Sequence, residues 1–426
     1  MKIAVIGGGF TGISSSWELA DKGAKVILFE KEQDLGGLAG CFSINGEFFE
    51  RYHHFISKDD KHLLEAVKEL GITNEISWSR TKLGYFIDGK LVPFTSPKDL
   101  IRFPKLTPTD KIRFALSMTY LTQLKNWGKL EHTSAKEWLI KTQGIRTYER
   151  LWAHLMEMKF ASETDIIPLS WFWARSKRRA SNRKLAGPTE EFAVFKNSAK
   201  VMVEAIVERL KRKGTKIFLE TSVNEISETS QGLKITTSRG EETFDKVIFT
   251  APLTVLLATV SNLTKEYQAK LRSIRYAGII NMVAEVDIEF TPYFWLNISD
   301  RSVPFPGIIE MTHLRPTTRG THLIYIPNYF PSDNEAFEKD NESFYADYLP
   351  ALKRINPQAR IIKYHIFRDK YADPYYSLGY SQKLPPPQTP IKGLYLCNTA
   401  QIYPVTRSLN NSIWWGKHIA RIALTD

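Results

Sequence analysis

The sequence predicts an α/β protein whose parallel sheet carries helices on its faces, and two observations support this. The chain opens with the apolar run "KIAVI", then shows helical spacing from Phe10 to Lys22, then a second apolar run, "KVILFE". This is a βαβ unit, which places its two strands parallel in one sheet. Near the other end, the run "GLYLC" precedes a helix that we expect from about Ser412 to Leu424. Both ends therefore belong to one sheet, which inserted segments interrupt.

The chain divides into three expected parts. Residues 1–80, 186–255 and 385–426 carry the short apolar strands and form a discontinuous sheet domain. Residues 81–185 form a mostly helical, basic region, because two stretches place Pro at the first turn of a helix. Residues 256–384 form a second domain of mixed sheet and helices.

Composition excludes several classes of protein. The 426 residues include only two cysteines, Cys41 and Cys397, so we expect no disulfide framework. No Cys/His spacing is typical of zinc, so we expect no metal. No apolar run is long enough to span a bilayer and the N-terminus does not resemble a signal peptide. A reduced, cytoplasmic setting is the expectation.

Positive charge is concentrated in one part of the chain. The net charge is +12, and Ser96 to Leu185 contain 18 Lys and Arg against 8 Asp and Glu, an excess of ten. Such a local field favours an anionic partner, either a small acidic substrate or an acidic lipid surface. No nucleic-acid-binding motif accompanies the charge, so we expect no nucleic-acid partner.

The first glycine cluster matches the dinucleotide-binding fingerprint. Gly7, Gly9 and Gly12 have the spacing GxGxxG, and they follow a strand and open a helix. Gly7 permits a tight turn, Gly9 lets the backbone approach a pyrophosphate, and Gly12 allows close packing of helix on strand. Glu30 ends the second strand, where a carboxylate accepts the ribose hydroxyls of an adenosine. The sheet domain is therefore expected to be Rossmann-like.

A second glycine pair suggests which dinucleotide is bound. Gly36 and Gly37 follow Glu30 by a few residues, in "KEQDLGGLAG". A protein that binds only a nicotinamide dinucleotide does not need glycines at this point, whereas a flavin protein has its extended FAD beside this loop. We therefore expect FAD.

The sequence then resembles a known superfamily of flavoproteins. "GGGFTG…FEKEQDLGGLAG", "VNEI…FDKVIFTAP" and "GLYLCNTAQIYPVTRSLNNSIWWGKHIA" are similar to the amine oxidases, phytoene desaturases and protoporphyrinogen oxidases, with UDP-galactopyranose mutase as a neighbour. The resemblance implies non-covalent FAD in a p-hydroxybenzoate-hydroxylase-like fold with a separate substrate domain. Two features depart from the family: Leu38 replaces a frequent Arg, and a glycine pair is missing before the helix near residue 200.

The fingerprint and the resemblance together imply a set of cofactor contacts. Val223 matches a backbone contact to adenine, and Asn398 stands where the family commonly has an acid near the phosphate and ribityl chain. The final helix points its N-terminus at the pyrimidine edge of the flavin. The expected contacts are Gly7, Gly9, Phe10, Thr11, Gly12, Glu30, Lys31, Gly36, Gly37, Leu38, Ala39, Val223, Thr250, Ala251, Pro252, Asn398, Asn410, Asn411 and Ser412.

Four residues are candidates for catalysis. His53 and His54, in "ERYHHFIS", lie where the resemblance places the flavin ring, and adjacent residues of a strand point to opposite faces, so at most one faces the flavin. We favour His54, because Phe55 then points into the core. Glu310 is a candidate base or substrate anchor, and Arg407 a candidate ligand for an anionic group, as is Arg368. Each also has a purely structural interpretation.

A basic stretch rich in aromatic residues, "WFWARSKRRASNRK", has three interpretations. It is a solvated face, a surface for an acidic substrate, or a membrane contact in which Arg175, Lys177, Arg178 and Arg179 attract anionic lipids. The last interpretation needs Trp171 and Trp173 to be exposed. Arg183 belongs to the same stretch.

Three functions remain open. The first is an FAD oxidoreductase that takes a hydride from a C–H or C–N bond of an apolar or amphipathic small molecule, such as an isoprenoid, a porphyrinogen or an amine. The second is a non-redox flavin isomerase of the sugar-nucleotide mutase kind. The third is a flavin-binding protein without turnover. We favour the first, because the substrate region combines helices, many aromatic residues and excess positive charge, and because neither a uridine-binding segment nor paired arginines for a diphosphate can be placed. The expected location is the cytoplasm or the membrane periphery.

Overall fold

The computed structural model describes residues 1–182 and 189–426. Within these residues there are nineteen strands, β1 Lys2–Ile6, β2 Lys25–Phe29, β3 Cys41–Ile44, β4 Glu47–Glu50, β5 Ile76–Thr81, β6 Leu83–Ile87, β7 Lys90–Pro93, β8 Glu190–Phe195, β9 Lys216–Phe218, β10 Val223–Thr229, β11 Gly232–Thr237, β12 Gly240–Phe244, β13 Lys246–Phe249, β14 Tyr276–Val286, β15 Trp295–Ile298, β16 Gly307–Glu310, β17 His322–Pro331, β18 Ile361–Pro374 and β19 Leu394–Leu396. The α-helices in the same residues are α1 Phe10–Asp21, α2 Lys61–Glu69, α3 Pro97–Arg102, α4 Pro108–Gln123, α5 Ala135–Gln143, α6 Ile145–Leu151, α7 Ala153–Phe160, α8 Leu169–Ser181, α9 Lys200–Arg212, α10 Leu253–Thr259, α11 Lys265–Arg272, α12 Asn341–Ile355, α13 Tyr380–Lys383 and α14 Leu409–Thr425.

The predicted parallel sheet is present and draws strands from both ends of the chain. Its order is β19-β13-β1-β2-β9, and every neighbouring pair is parallel. Its strands are apolar because both faces are buried. Ile13 of α1, Met202 of α9 and Ile413 of α14 pack on one face. The antiparallel sheet β10-β11-β12 covers the other face. The α/β prediction is confirmed.

The last helix begins earlier than predicted. Ser408 caps α14, because its hydroxyl accepts a hydrogen bond from the N–H of Asn411 at 3.3 Å. The helix then crosses α1 at Gly416, where an added Cβ would lie 2.4 Å from the carbonyl oxygen of Thr11. This crossing fixes the two helix N-termini relative to each other, and neither the cap nor the close approach was predicted.

The second domain is built on a seven-stranded sheet of order β18-β14-β17-β16-β15-β6-β7. Helix α12 packs on one face, where Phe344 and Tyr348 join the cluster of Ile280 and Ile326. The other face looks toward the segment that carries the histidine pair, because Phe55 packs against its cluster.

The region expected to be helical from residue 81 begins instead with two strands. β6 and β7 form a hairpin whose turn residues, Asp88 and Gly89, have φ of 52° and 71°. Positive φ at both positions is typical of the tight Asp-Gly turn that matches the twist of a hairpin. This signal is visible in the sequence and was missed. The helices start at α3, and the expected boundary at residues 185 and 186 lies outside the described residues.

Candidate active site

The five parallel strands end at one edge of their sheet, where an α/β fold places its ligands. The glycine loop after β1 lies there, followed by α1, whose N-cap is Gly9. Gly9 has no side chain to cap the helix, and the N–H groups of residues 10–12 have no hydrogen-bond acceptor in the described part of the chain. These N–H groups and the helix dipole create a site of positive potential.

Glycine is required in this loop by close approaches. An added Cβ at Gly12 would lie 1.8 Å from the carbonyl oxygen of Gly7, so helix and loop touch as the sequence predicted. Gly7 itself has φ of +100°, and an added Cβ there would lie 2.7 Å from the Thr250 hydroxyl. Gly9 differs, because a Cβ would lie 3.9 Å from its nearest neighbour, the Cα of Gly37. In the described residues, no protein atom therefore comes closer than van der Waals contact to this face of Gly9.

Glu30 is buried at the end of β2 and holds the glycine loop. Its carboxylate accepts hydrogen bonds from the N–H of Gly8 at 2.5 Å and of Glu32 at 2.9 Å. The N–H of Thr221 donates to the Glu30 carbonyl at 2.8 Å. The chain just before Val223 therefore lies beside Glu30, as expected if both contact one adenosine. Lys31, also an expected contact, is exposed and paired with Glu32.

The second glycine pair packs on the first loop. The N–H of Gly36 donates to the carbonyl of Gly8 at 2.9 Å, and an added Cβ at Gly37 would lie 3.1 Å from the Cα of Gly9. Gly36 and Gly37 have φ of +117° and +58°. Leu38 then packs beside Tyr52, and Ala39 is buried in the core of the sheet domain. This packing is a reason for the glycines that adds to the cofactor interpretation.

The segments after β13 and β19 complete the edge. The Thr250 hydroxyl donates to the carbonyls of Ile6 at 2.9 Å and Gly7 at 3.1 Å, and Pro252 is the N-cap of α10. The Asn398 amide donates to the carbonyl of Ala251 at 2.9 Å. The Asn398 amide oxygen in turn accepts from the N–H of Ala400 at 3.0 Å. The Asn398 side chain thus joins the two segments that the sequence predicts to be cofactor contacts.

The first turn of α14 is fixed by its own side chains. The amide oxygen of Asn410 accepts from the N–H of Leu63 at 3.1 Å, and the amide of Asn411 donates to the carbonyl of Thr406 at 2.6 Å. The N–H of Ser412 donates to the carbonyl of Ser408 at 3.0 Å. The N–H groups of residues 409 and 410 have no acceptor in the described residues.

The histidine pair lies on a non-strand segment close to this turn. Arg178 connects this segment to the start of α14, because its guanidinium donates to the carbonyl of Phe55 at 3.4 Å and to the hydroxyl of Thr406 at 3.2 Å. The ring of Phe55 packs on Phe192 at 4.8 Å, in the core, as the sequence predicts. His53 lies edge-on to Trp295 at 5.5 Å.

The two imidazoles are neutral at physiological pH. Burial, the neighbouring His54 and the charge of Arg407 lower the pKa of His53 to about 3. Burial and Arg407 lower the pKa of His54 to about 4. The His54 Nδ1 lies 2.8 Å from the carbonyl oxygen of Tyr52, which can only accept. Nδ1 therefore carries the proton of the neutral ring, and Nε2 carries a free lone pair.

Glu310 lies apart from the histidines. It is fully buried at the end of β16, where its carboxylate accepts from the N–H groups of Phe290 at 3.0 Å and Thr291 at 2.7 Å. The ring of His322 lies 3.0 Å away, and burial raises the pKa of Glu310 to about 8. No contact in the described residues joins Glu310 to the histidine pair. Its hydrogen bonds instead hold the turn at Phe290 and Thr291, before β15. Because Glu310 is fully buried, it does not lie at a solvated strand edge.

The two arginines considered as anion ligands have different surroundings. Arg368 donates to the Asn341 side chain at 2.7 Å and to the carbonyl of Lys339 at 2.6 Å, on the outer side of β18. Arg407 donates to the carbonyl of Ala372 and lies near both imidazoles. Of the candidates, the structure therefore brings together His53, His54 and Arg407.

Residues 171–181 of the basic aromatic stretch lie in α8, where the tryptophans are buried and most of the cations are paired. Trp171 and Trp173 are only 4% and 7% exposed. The cations on this helix pair with carboxylates from distant parts of the chain: Arg178 with Asp60 at 2.8 Å, Arg179 with Glu190 at 2.8 Å, and Arg175 with Asp373 at 3.5 Å. Lys177 donates to the carbonyl of Leu124 at 3.3 Å. The expectation of exposed tryptophans for a membrane contact on α8 is wrong, because both rings are part of the core. Arg183 lies outside the described residues.

Two buried residues near the histidines were not predicted. Lys159 of α7 and Asp373 of β18 are 8% and 3% exposed and lie 3.4 Å apart. The sequence signal for Lys159 is weak, because α7 carries Glu157 and His154 as well, and nothing in "LMEMKF" separates a buried cation from an exposed one.

The residues present fit an extended flavin dinucleotide. The α1 N-terminus offers free N–H donors beside an open approach at Gly9, and Glu30 is placed for an adenosine. A second helix N-terminus, that of α14, offers free donors close to His53, whose Nδ1 is buried without a partner in the described residues. The site thus has donors for a pyrophosphate at one end and polar groups for a flavin ring at the other.

Comparison with known proteins supports the same cofactor. A family model of flavin-containing amine oxidoreductases matches residues 10–407. The chain is 24% identical to coproporphyrinogen III oxidase of Staphylococcus aureus (strain NCTC 8325 / PS 47), over 68% of this chain and 69% of that protein. It is 22% identical to 15-cis-phytoene desaturase of an Oncidium hybrid cultivar, over 100% of this chain and 78% of that protein.

Solved structures share the fold. The crystal structure of reduced UDP-galactopyranose mutase superposes with a TM-score of 0.78 at 16% identity, covering 100% of this chain and 95% of that one. The resemblance inferred from the sequence motifs is therefore confirmed. The chain belongs to the flavin-containing amine oxidoreductase family and is an FAD-dependent oxidoreductase.

Proposed function

We propose that this oxidoreductase removes a hydride from a C–H bond of an amphipathic small molecule, and that His54 takes up the accompanying proton. The observation that carries the proposal is the tautomer of His54, whose Nδ1 faces the Tyr52 carbonyl and leaves Nε2 as a base. The substrate loses a hydride and a proton and gains one double bond. Bound FAD supplies the hydride acceptor.

We propose the predicted contacts as the residues that hold FAD. The N-terminus of α1, with Gly9, Phe10, Thr11 and Gly12, holds the pyrophosphate. Glu30 and the backbone at Val223 hold the adenosine, and the N-terminus of α14 faces the flavin ring. Thr250, Ala251, Pro252 and Asn398 line the path between these two ends.

The surroundings of His54 suit a base that works without water. Burial and Arg407 keep its ring neutral at physiological pH, so Nε2 is unprotonated and can accept a proton, and they also lower its pKa to about 4, which makes it a weak base. The rings of Phe55, Phe192 and Phe294 pack around one another beside the pair, with centroid separations from 4.8 to 6.0 Å. A proton taken from the substrate therefore goes to the imidazole rather than to solvent.

The test is the rate at which a substrate reduces the bound flavin without oxygen. Replacing His54 by Ala should leave FAD content unchanged and slow flavin reduction by about 10²-fold. His53→Ala is the matched control, because it removes the neighbouring ring and leaves the Tyr52 contact in place. Equal rates in wild type and His54→Ala would reassign His54 to a structural role.

A mutase is the second candidate, and the likeness in fold to UDP-galactopyranose mutase is the observation that favours it. A mutase uses reduced flavin as a nucleophile, so UDP-galactopyranose would be isomerised only after the flavin has been reduced chemically. The reaction itself would consume no electrons. The protein would then leave the oxidation state of its flavin unchanged. The flavin spectrum therefore separates the oxidoreductase from the mutase in a single experiment.

We also propose that α4 rests on an anionic lipid surface. Ile112, Leu116 and Tyr120 repeat every four residues on one face of α4 and are between 59% and 67% exposed. Residues 97–130 carry seven Lys and Arg and only two acids, Asp99 and Asp110. Both acids are engaged in capping their helices. An exposed apolar stripe on a basic helix is typical of a helix that lies in the membrane interface. None of the described helices is long and apolar enough to cross a bilayer.

A further inference from the structure

Three cations, the buried Lys159 and the half-buried Arg175 and Arg407, gather around one buried carboxylate beside the histidine pair. Asp373, near the end of β18, accepts from the Lys159 ammonium at 3.4 Å and from the Arg175 guanidinium at 3.5 Å. Arg407, which precedes α14, donates to the carbonyl of Ala372, the residue before Asp373. Four separate parts of the chain supply these groups, and we call them the cation cluster.

The charge of the cation cluster is not balanced. Both cations reach the same Asp373 oxygen, at the long end of hydrogen-bond distance, while the other oxygen accepts from the Tyr376 hydroxyl at 3.1 Å. Asp369 is the next carboxylate, and in the described residues it forms no ion pair with Arg407. Three cations therefore face one paired carboxylate, with a second one at longer range.

Aromatic rings compensate for only part of this surplus. The Lys159 ammonium lies 3.6 Å from the centre of the Tyr329 ring, and the Arg175 guanidinium 3.9 Å from that of Trp171. A cation over an aromatic face is attracted by its quadrupole, but the ring brings no negative charge. Burial still lowers the pKa of both Lys159 and Arg175. A surplus of buried charge is costly unless a counter-ion joins it.

We infer that Lys159, Arg175 and Arg407 form a binding site for an anionic group of the substrate, a carboxylate or a phosphate. This inference rests on the proposed function. The cluster lies within electrostatic reach of the reaction site, because Lys159 and Arg407 both lower the pKa of His53. An anion bound there would hold the rest of the substrate toward the imidazoles.

The same charges select among substrate classes. An ammonium group would be repelled by three cations, so a simple amine is disfavoured. A hydrocarbon without polar groups would leave the surplus unpaired. An amphipathic molecule with an acidic group satisfies both the cluster and the aromatic rings around it.

The inference is tested on the FAD-loaded protein with two probes, propionate for a carboxylate and inorganic pyrophosphate for a phosphate. Binding is followed by the change in the flavin spectrum and by calorimetry. Lys159→Met removes one charge at similar volume and should weaken binding of the preferred probe at least about tenfold, the loss of one charge-assisted hydrogen bond. Arg175→Lys keeps the charge and should bind more tightly than Arg175→Met. Arg301→Gln, at an exposed pair with Glu149, is the control and should bind as wild type does.

Stability distinguishes a binding site from a structural ion pair. If the surplus charge awaits a ligand, Lys159→Met should melt no lower than wild type without probe, and only wild type should gain thermal stability when the probe is added. A lower melting temperature for Lys159→Met, together with unchanged probe affinity, would overturn the inference. Loss of FAD from Lys159→Met would also overturn it, because the cluster would then serve the cofactor.

Failure here is separable from failure of the proposed function. If substrates reduce the flavin but KM is unchanged in Lys159→Met and Arg175→Met, the anion site is wrong and the oxidoreductase proposal stands. If the probes bind at the cluster but no substrate reduces the flavin, the anion site stands and the proposed hydride removal fails.

Discussion

His54 combines two properties that the sequence does not determine, its tautomer and its neutrality. Because His53 and His54 are adjacent, the sequence predicted that at most one imidazole faces the flavin, and the resemblance predicted that this segment lies near the flavin ring. The carbonyl of Tyr52 and the charge of Arg407, 353 positions further along the chain, define its chemistry. Contacts between such distant residues depend on the completed fold, which no local pattern records.

The histidine pair should make stability depend on pH. In the unfolded chain an imidazole has its usual pKa of 6.5, whereas in the folded protein the pKa of His53 is about 3 and that of His54 about 4. The unfolded state therefore binds more protons below pH 6.5, and the free energy of unfolding falls as pH falls. Between pH 7 and pH 5 each histidine should remove about 2 kcal/mol.

Urea unfolding of the holoprotein at several pH values between 5 and 7 measures this effect. His53→Gln and His54→Gln should each flatten the curve relative to wild type. A wild-type curve that is flat in this range would show that both imidazoles keep their ordinary pKa in the folded protein, and the buried, cation-flanked setting described for the pair would be wrong.

Two glycines of the first loop should respond differently to substitution. Gly9 has φ of −68° and no protein atom closer than 3.9 Å to an added Cβ, so Gly9→Val should fold and yet lose FAD, because the side chain occupies the approach of the pyrophosphate. Gly12→Ala places a Cβ 1.8 Å from the carbonyl of Gly7 and should lose both FAD and thermal stability. Gly128→Ala is the control, because an added Cβ there would meet only the Asn126 side-chain oxygen, at 3.3 Å, far from the glycine loop.

The readouts are FAD content after gel filtration and the melting temperature of the FAD-free protein. Retention of stoichiometric FAD by Gly9→Val would contradict the placement of the cofactor.

At the scale of elements, local signals predicted the parallel strands, α1 and the position of α14 to within three residues. They misplaced α8, because a run of four cations within five residues resembles a solvated face. Its partners Asp60, Glu190 and Asp373 come from other parts of the chain, and long cationic side chains pack readily along buried rings. The hairpin β6–β7 was missed for a different reason, since its Asp-Gly turn was present in the sequence and not considered.

The buried position of α8 predicts a strong effect for one of its ion pairs. Arg178→Gln leaves the Asp60 carboxylate, which is 4% exposed, without its cation and should lower the free energy of unfolding by about 3 kcal/mol. Arg301→Gln breaks two exposed pairs, with Glu149 and Glu157, and should cost no more than about 1 kcal/mol. Chemical unfolding compares the two, and equal small losses would mean that α8 is solvated after all.

The exposed stripe on α4 predicts binding to anionic vesicles. Flotation with vesicles of phosphatidylserine and phosphatidylcholine should carry wild type upward at low salt, and binding should fade as the screening length shortens to about 8 Å at physiological ionic strength. The triple variant Ile112→Gln, Leu116→Gln, Tyr120→Gln should stay at the bottom, while Ile362→Gln, an exposed isoleucine on β18, should float as wild type does.

Two results would contradict the lipid surface. Wild type that ignores anionic vesicles at low salt would remove the proposal. Concentration-dependent sedimentation that the triple variant abolishes would assign the stripe to contact between two copies of the chain.

For the whole molecule, the motifs at both ends predicted one sheet domain built from distant segments, and the sheet order β19-β13-β1-β2-β9 agrees. The proposed cofactor edge was predictable because short motifs encode both the close backbone approaches of its glycines and the position of the Glu30 carboxylate that holds their loop. The substrate side was not, because Lys159, Arg175, Arg407 and Asp373 meet only after the helical region and the seven-stranded sheet pack on that edge.

The most direct test of the account is anaerobic reduction of the bound flavin by candidate substrates, followed in the visible spectrum. Coproporphyrinogen III carries carboxylates, putrescine carries ammonium groups, and phytoene carries neither, so the three compounds separate the substrate classes. We predict that the acidic, amphipathic compound bleaches the oxidised flavin and is itself recovered with an added double bond, and that oxygen or a quinone then restores the spectrum. A flavin that stays oxidised with all three compounds, in a protein that isomerises UDP-galactopyranose once dithionite has reduced it, would contradict the account and establish the mutase reading.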